Sequence, residues 1–117
     1  MVDSKAAFIF LWGRIYAMKI LMVATRFNFH NLKNFHYHIP VGLAYISSVL
    51  KKNGYEVKWL NLNHHDGTVD ELIKKELSQE RYDFILTGGL SIFYPTIKSC
   101  VNSFRKYAPH ARIILGG

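Results

Sequence analysis

From Met18 onward, short apolar runs alternate with stretches whose apolar residues recur at helical spacing. Ile20-Leu21-Met22-Val23-Ala24 is a continuous apolar run of strand length, the pattern of a strand covered on both faces. A polar, aromatic and histidine-rich loop follows from Arg26 to Ile39. Leu43, Ala44, Ile46, Val49 and Leu50 then mark the apolar stripe of a helix over 41–53. Pro40 suits the first position of that helix and Gly54 a left-handed C-terminal stop. Glu56 to Asn61 reads as a second strand. Thr68 with Glu71 three residues later is a capping-box signature, opening a helix that carries Leu72, Ile73 and Leu77. Asp83 to Thr87 is a third strand ending in Gly88-Gly89. Pro95 opens a third helix with Ile97, Val101 and Phe104 inward, and Arg112 to Leu115 is a fourth strand before Gly116-Gly117.

Strand and helix in strict alternation predict a parallel sheet joined by right-handed crossovers. The expected fold is therefore α/β, a flavodoxin-like, Rossmann-like doubly wound sheet of about four strands with three helices. Sheets of this type usually use about five strands. The domain over 18–117 is accordingly expected to be incomplete, truncated after its fourth strand. Residues 1–17 are read as an N-terminal extension, either non-native or an added edge strand. Their apolar run, Ala6 to Trp12, is too short to span a bilayer. A signal peptide is disfavoured, because one Lys stands against one Asp and no small-residue cleavage site precedes Met18.

Composition narrows the picture. Half of the 117 residues are apolar and a fifth are charged, which suits one globular domain. The single cysteine, Cys100, excludes a disulfide framework and any cysteine-built cluster within this chain, and makes the cytoplasm the expected compartment. The net charge is +7. Its cations fall as scattered pairs, Lys51-Lys52, Lys74-Lys75 and Arg105-Lys106, towards helix ends, where they complement the helix dipole. No basic run interleaves with aromatics, so neither nucleic acid nor a membrane is expected as a partner.

Open parallel sheets bind ligands beyond the carboxyl ends of their strands. That rule selects Thr25 to Ile39, Leu62 to Gly67, Gly88 to Tyr94, and Gly116-Gly117. The glycine pairs read either as a bed allowing close approach of a flat ligand or as ordinary turn residues.

Several segments carry a resemblance. Pro40-Val41-Gly42-Leu43-Ala44-Tyr45-Ile46 and Leu50-Lys51-Lys52-Asn53-Gly54-Tyr55-Glu56-Val57 resemble the first helix and second strand of one family. Asp83-Phe84-Ile85-Leu86-Thr87-Gly88-Gly89 and Ile113-Ile114-Leu115-Gly116-Gly117 resemble its third and fourth strands. That family is the N-terminal cobalamin-binding domains of radical S-adenosylmethionine enzymes. The match runs from about Met18 to Gly117, and the Pro-x-Gly-Leu-Ala-Tyr helix start is its most specific part. The resemblance implies cobalamin as cofactor and a following barrel as partner. The 4Fe-4S cluster and S-adenosylmethionine would be held by that barrel and not by this chain. The candidate cofactor-binding residues are Arg26 and Asn28 on the first loop, Thr87, Gly88, Gly89, Leu90, Ser91 and Tyr94 around the third, and Gly116 and Gly117.

The wider cobalamin-binding fold carries the motifs D-x-H-x-x-G, S-x-L and G-G. Gly116-Gly117 matches the last, and Gly88-Gly89-Leu90 matches the second except that Gly88 replaces serine, with Thr87 or Ser91 as nearby hydroxyls. D-x-H-x-x-G is absent; its nearest echo, Asn28-Phe29-His30-Asn31-Leu32-Lys33, lacks the aspartate and the glycine. The resemblance therefore implies cobalamin without a histidine axial ligand, or a domain that has lost the cofactor and serves as a scaffold.

Other chemistry is less supported. His36-x-His38 and His64-His65-Asp66 lie on loops at one sheet edge, but a zinc or iron site needs three or four convergent ligands. Cys100 falls on the inner stripe of its helix and reads as a small core residue, not as a nucleophile. Tyr45, Phe93 and Tyr94 suit either core packing or a corrin face, and Asp66, Asp70 and Glu71 suit capping and the helix dipole. The first strand ends Ala24-Thr25-Arg26, without the paired acids of a phosphate-accepting receiver, a flavodoxin phosphate loop or a G-x-G-x-x-G nicotinamide fingerprint.

Overall fold

The computed structural model describes residues 18–26, 41–89 and 93–116. They form β1 (Lys19–Ala24), α1 (Val41–Lys52), β2 (Glu56–Asn61), a 3-10 turn (Leu62–His64), α2 (Val69–Gln79), β3 (Phe84–Gly88), α3 (Tyr94–Tyr107) and β4 (Arg112–Gly116). The strands make one parallel sheet in the order β2-β1-β3-β4. This is the α/β architecture that the alternation predicts: a flavodoxin-like parallel sheet of four strands with three α-helices among the described residues. Among the described residues, no helix is long and apolar enough to cross a membrane.

Alternate residues of each strand feed two cores. Leu21 and Val23 of β1, Leu60 of β2 and Ile85 of β3 pack with Ile73 of α2 and with Cys100 and Phe104 of α3. Ile20, Met22 and Leu86 point the other way, against Leu43 of α1, with Leu50, Val57, Trp59 and Phe84 around them. Each such side chain removed from water contributes about 1.5–3 kcal/mol before entropy is counted. Because β1 is covered on both sides, its run of apolar residues is continuous.

Local signals fix the helix ends. Glu71 N donates to Thr68 Oγ1 at 3.2 Å, and Thr68 N donates to Glu71 Oε2 at 3.3 Å, completing the capping box. Gly54 closes α1 at φ +89°, a left-handed conformation that suits glycine. Helix α3 begins at Tyr94, one residue before Pro95.

Helix α1 differs from its expected stripe. It buries Leu43 and Ser47, while Ile46 and Val49 are exposed together with Val41 and Tyr45. The polar Ser47 faces the sheet because Trp59 Nε1, on β2, donates to its Oγ at 2.9 Å. A partly buried indole N–H needs an acceptor, and Ser47 of α1 supplies it. The helix lies over β1 and β2. Beside it, Met18, Ile20, Leu50, Tyr55, Phe84, Leu86 and Ile114 line an open apolar groove.

At the amino edge of the sheet a charged cluster ties strands to α2. Lys19 Nζ lies 2.7 Å from Glu80 Oε1, and Lys58 Nζ lies 2.8 Å from Glu76 Oε1. The buried Tyr82 hydroxyl donates to Glu76 Oε1 at 2.5 Å and lies 3.1 Å from Glu80 Oε2.

Candidate functional site

Strand β1 has β2 on one side and β3 on the other, so the connections leaving β1 and β3 diverge at the carboxyl rim between them. Ligands of open α/β sheets bind at such a reversal. In register, Ala24, Gly88 and Gly116 stand side by side. The tips of three adjacent strands thus carry no side chain larger than a methyl group.

These glycines are not equivalent. A Cβ built on Gly88 would run into the carbonyl oxygen of Gly116 and come within 2.9 Å of its carbonyl carbon. The space beside Gly88 is therefore taken by the backbone of β4. A Cβ on Gly89 would make ordinary contact, 3.5 Å from Ile97 Cδ1 and 3.9 Å from Thr25 Oγ1. A Cβ on Gly116 would meet nothing within 4 Å. Among the described glycines of the rim, only Gly116 leaves open space where its side chain would stand.

The two polar candidates that the structure describes are held by the protein itself. Thr87 is buried, and its hydroxyl donates to Val23 O at 2.9 Å across the β1–β3 pair. Arg26, directly after β1, points its guanidinium at the segment that follows β2. Its Nε and one terminal nitrogen donate to Leu62 O at 3.1 and 3.0 Å. That terminal nitrogen also reaches His65 O at 2.8 Å, and the other reaches Gly67 O at 2.6 Å. Tyr94 opens α3 with most of its ring in solvent. Asn28, Leu90, Ser91 and Gly117 lie outside the described residues, as do Pro40 and the His36/His38 pair.

Sequence reasoning did not single out Asn61 and Asn63, which organise the same rim. Asn61 Oδ1 accepts from Asn63 N at 3.0 Å and from Asn63 Nδ2 at 2.9 Å. Asn63 Nδ2 also donates to Thr25 O at 3.0 Å, joining the end of β1 to the turn after β2. The signal was an Asn-x-Asn spacing that begins on the last residue of β2, a common turn-forming arrangement.

Cys100 lies under this rim within the α3 core and is fully buried. Burial pushes its thiol up to about 11, against the opposing pull of the Arg26 charge. The neutral thiol is a packing group there, as its place on the helix stripe predicts. No cluster of three or more His, Cys, Asp or Glu side chains with metal-binding geometry occurs among the described residues. No family model matches the chain, and no match was found among characterised proteins.

Proposed function

We propose that this chain is the cobalamin-binding module of a radical S-adenosylmethionine enzyme, with the cluster-bearing catalytic part lying outside the 117 residues. One observation carries the reading: Gly116 is in register with Gly88 and Ala24 at the carboxyl rim, and the space where its side chain would stand is open. A broad, flat ligand needs side-chain-free backbone at such a rim. The resemblance of the Pro40 to Ile46 segment and of both Gly-Gly strand ends to cobalamin-binding domains supplies the identity of that ligand.

The open space at Gly116 and the exposed Tyr94 at the start of α3 support this reading on the β3–β4 side of the rim. Gly89, Gly116 and Tyr94, with Asn28, Leu90, Ser91 and Gly117, would hold the corrinoid. Bound there, cobalamin would supply cobalt-centred chemistry to a partner barrel that carries the 4Fe-4S cluster and S-adenosylmethionine. No D-x-H-x-x-G histidine is available in this sequence, so its cobalt would lack a histidine ligand from this module. A cytoplasmic setting goes with the same reading.

A second reading, a cofactor-free scaffold of the same fold, is favoured by a specific observation. Thr87, Arg26 and the space at Gly88 are all occupied in holding the protein together.

Reconstitution with hydroxocobalamin, followed by gel filtration, separates the two readings. The cofactor reading expects a corrin spectrum to co-elute with the wild-type protein. It further expects G116F to lose that spectrum with its thermal midpoint unchanged, since Gly116 borders open space. Wild-type protein that is folded by circular dichroism yet elutes without corrin refutes the cofactor reading and leaves the scaffold.

A further inference from the structure

Arg26 follows β1 at the β1–β3 reversal, and its guanidinium is held by backbone carbonyls of the β2 side. A guanidinium carries five N–H donors in a fixed planar fork. Here four of them are spent on three backbone carbonyls: Nε on Leu62 O, one terminal nitrogen on Leu62 O and His65 O, and the other on Gly67 O. At most one N–H remains for anything else. The carbonyls it binds lie in the connection between β2 and α2, from the 3-10 turn at Leu62 to Gly67, where no strand ladder serves them and a side-chain donor adds to the local turn bonds. Gly67, at the far end of this stretch, has φ +113°, a bend that brings its carbonyl back towards Arg26.

We propose that Arg26 is a positioning residue: it pins residues 62–67 as the fixed β2-side wall of the rim, and does not bind the anionic groups of a ligand. Asn63 reinforces the same wall from within, through Thr25 O. The wall is therefore built from β1 outward, and the open approach lies on the opposite side, at Gly116. This inference extends the proposed ligand site by naming which side of it is rigid, and it rests on that reading only for its consequence in binding.

A lysine keeps the charge of Arg26 but offers one compact ammonium, which cannot reach three carbonyls at once. Amide hydrogen exchange by NMR on the 117-residue protein, without cobalamin, tests the pinning directly. R26K and R26Q are both expected to speed exchange at Leu62 to Thr68 by on the order of tenfold or more, with no rescue by the lysine. Amides of Leu21 and Ile85 in the central strands are expected to keep wild-type protection, which separates local release from global destabilisation. Wild-type protection of 62–68 in R26K, or equal loss across the central strands, overturns the proposal. Hydroxocobalamin retention forms a separate arm. Weaker retention by R26K at unchanged salt dependence supports the wall, whereas full retention by R26K with loss in R26Q marks Arg26 as a charge contact and overturns it. If wild-type protein retains no cobalamin, the cofactor reading falls while the exchange result still decides the role of Arg26.

Discussion

At Gly88 a single methyl group would drive into the backbone of β4, whereas at Gly89, one residue on, the same methyl would rest at an ordinary 3.5 Å from Ile97 Cδ1. The two adjacent glycines should therefore respond oppositely. G88A is expected to lower unfolding stability by about 1–3 kcal/mol, because rigid backbone and not a flexible side chain has to yield. G89A is expected to stay within about 1 kcal/mol of wild type. Urea unfolding followed by circular dichroism checks both, and equal effects would show that β4 does not approach β3 this closely. Loss of cobalamin binding in a Gly88 variant would then report a damaged sheet, which is why Gly116 is the informative position. A pair of glycines reads identically in sequence. Gly88 meets the backbone of Gly116 on β4, whereas Gly89 meets Ile97 on the next helix and Thr25 at the end of β1, and the packing of the sheet decides both.

Helices α2 and α3 are joined by a carboxylate. Asp70 Oδ1 accepts from Ser103 Oγ at 2.9 Å, and Oδ2 accepts from Tyr107 OH at 2.6 Å. The hydrogen bond from Tyr107, then that from Ser103, holds Asp70 below the usual carboxylate range. Glu80 is held low likewise, first by Lys19 and then by Tyr82. A carboxylate with a depressed folded-state pKa adds stability that is complete above its unfolded value, near 4, and fades as pH falls through the folded value. Acid unfolding of D70N and E80Q is thus expected to show a shallower loss of stability below about pH 4 than wild type. At the alkaline end, burial and then the Glu76 hydrogen bond raise Tyr82 above its ordinary 10.0, so the folded state keeps a proton that the unfolded chain releases. Stability should decline as pH rises past that value, and Y82F should remove this part of the decline. Midpoints of urea unfolding from pH 2 to pH 11 test both limbs. Of these contacts, the sequence displayed Asp70 only as a helix-start acid; its partners lie on another helix and become neighbours only once both pack on the sheet.

The core of the whole molecule closes over Cys100, which is fully buried with its thiol raised to about 11. Its reactivity therefore reports opening of the α3 side as a unit. Native protein at pH 8 is expected to react with an aromatic disulfide reagent only at the rate of unfolding, and to react at once in strong denaturant. A rapid native-state reaction would place the thiol outside this core. Strand β4 is less covered, and on both faces: Ile114, beside Leu86, and Leu115, beside Thr87, are 50% and 56% exposed, although their run with Ile113 has the continuous apolar pattern of a covered strand.

The order of elements, the parallel sheet, the capping box at Thr68, the stop at Gly54 and the burial of Cys100 were determined by the sequence itself. Each depends on periodicity or on residues within a few positions of one another, and such short-range physics can be read from the chain directly. Tertiary structure alone decided the rest. It turned α1 so that Ser47 meets Trp59, spent Thr87 on Val23 and Arg26 on residues 62–67, and left Gly116 open while closing Gly88. Those outcomes depend on which donors and surfaces meet after the strands are ordered, and the hydrophobic pattern of a single segment carries no information about its partners.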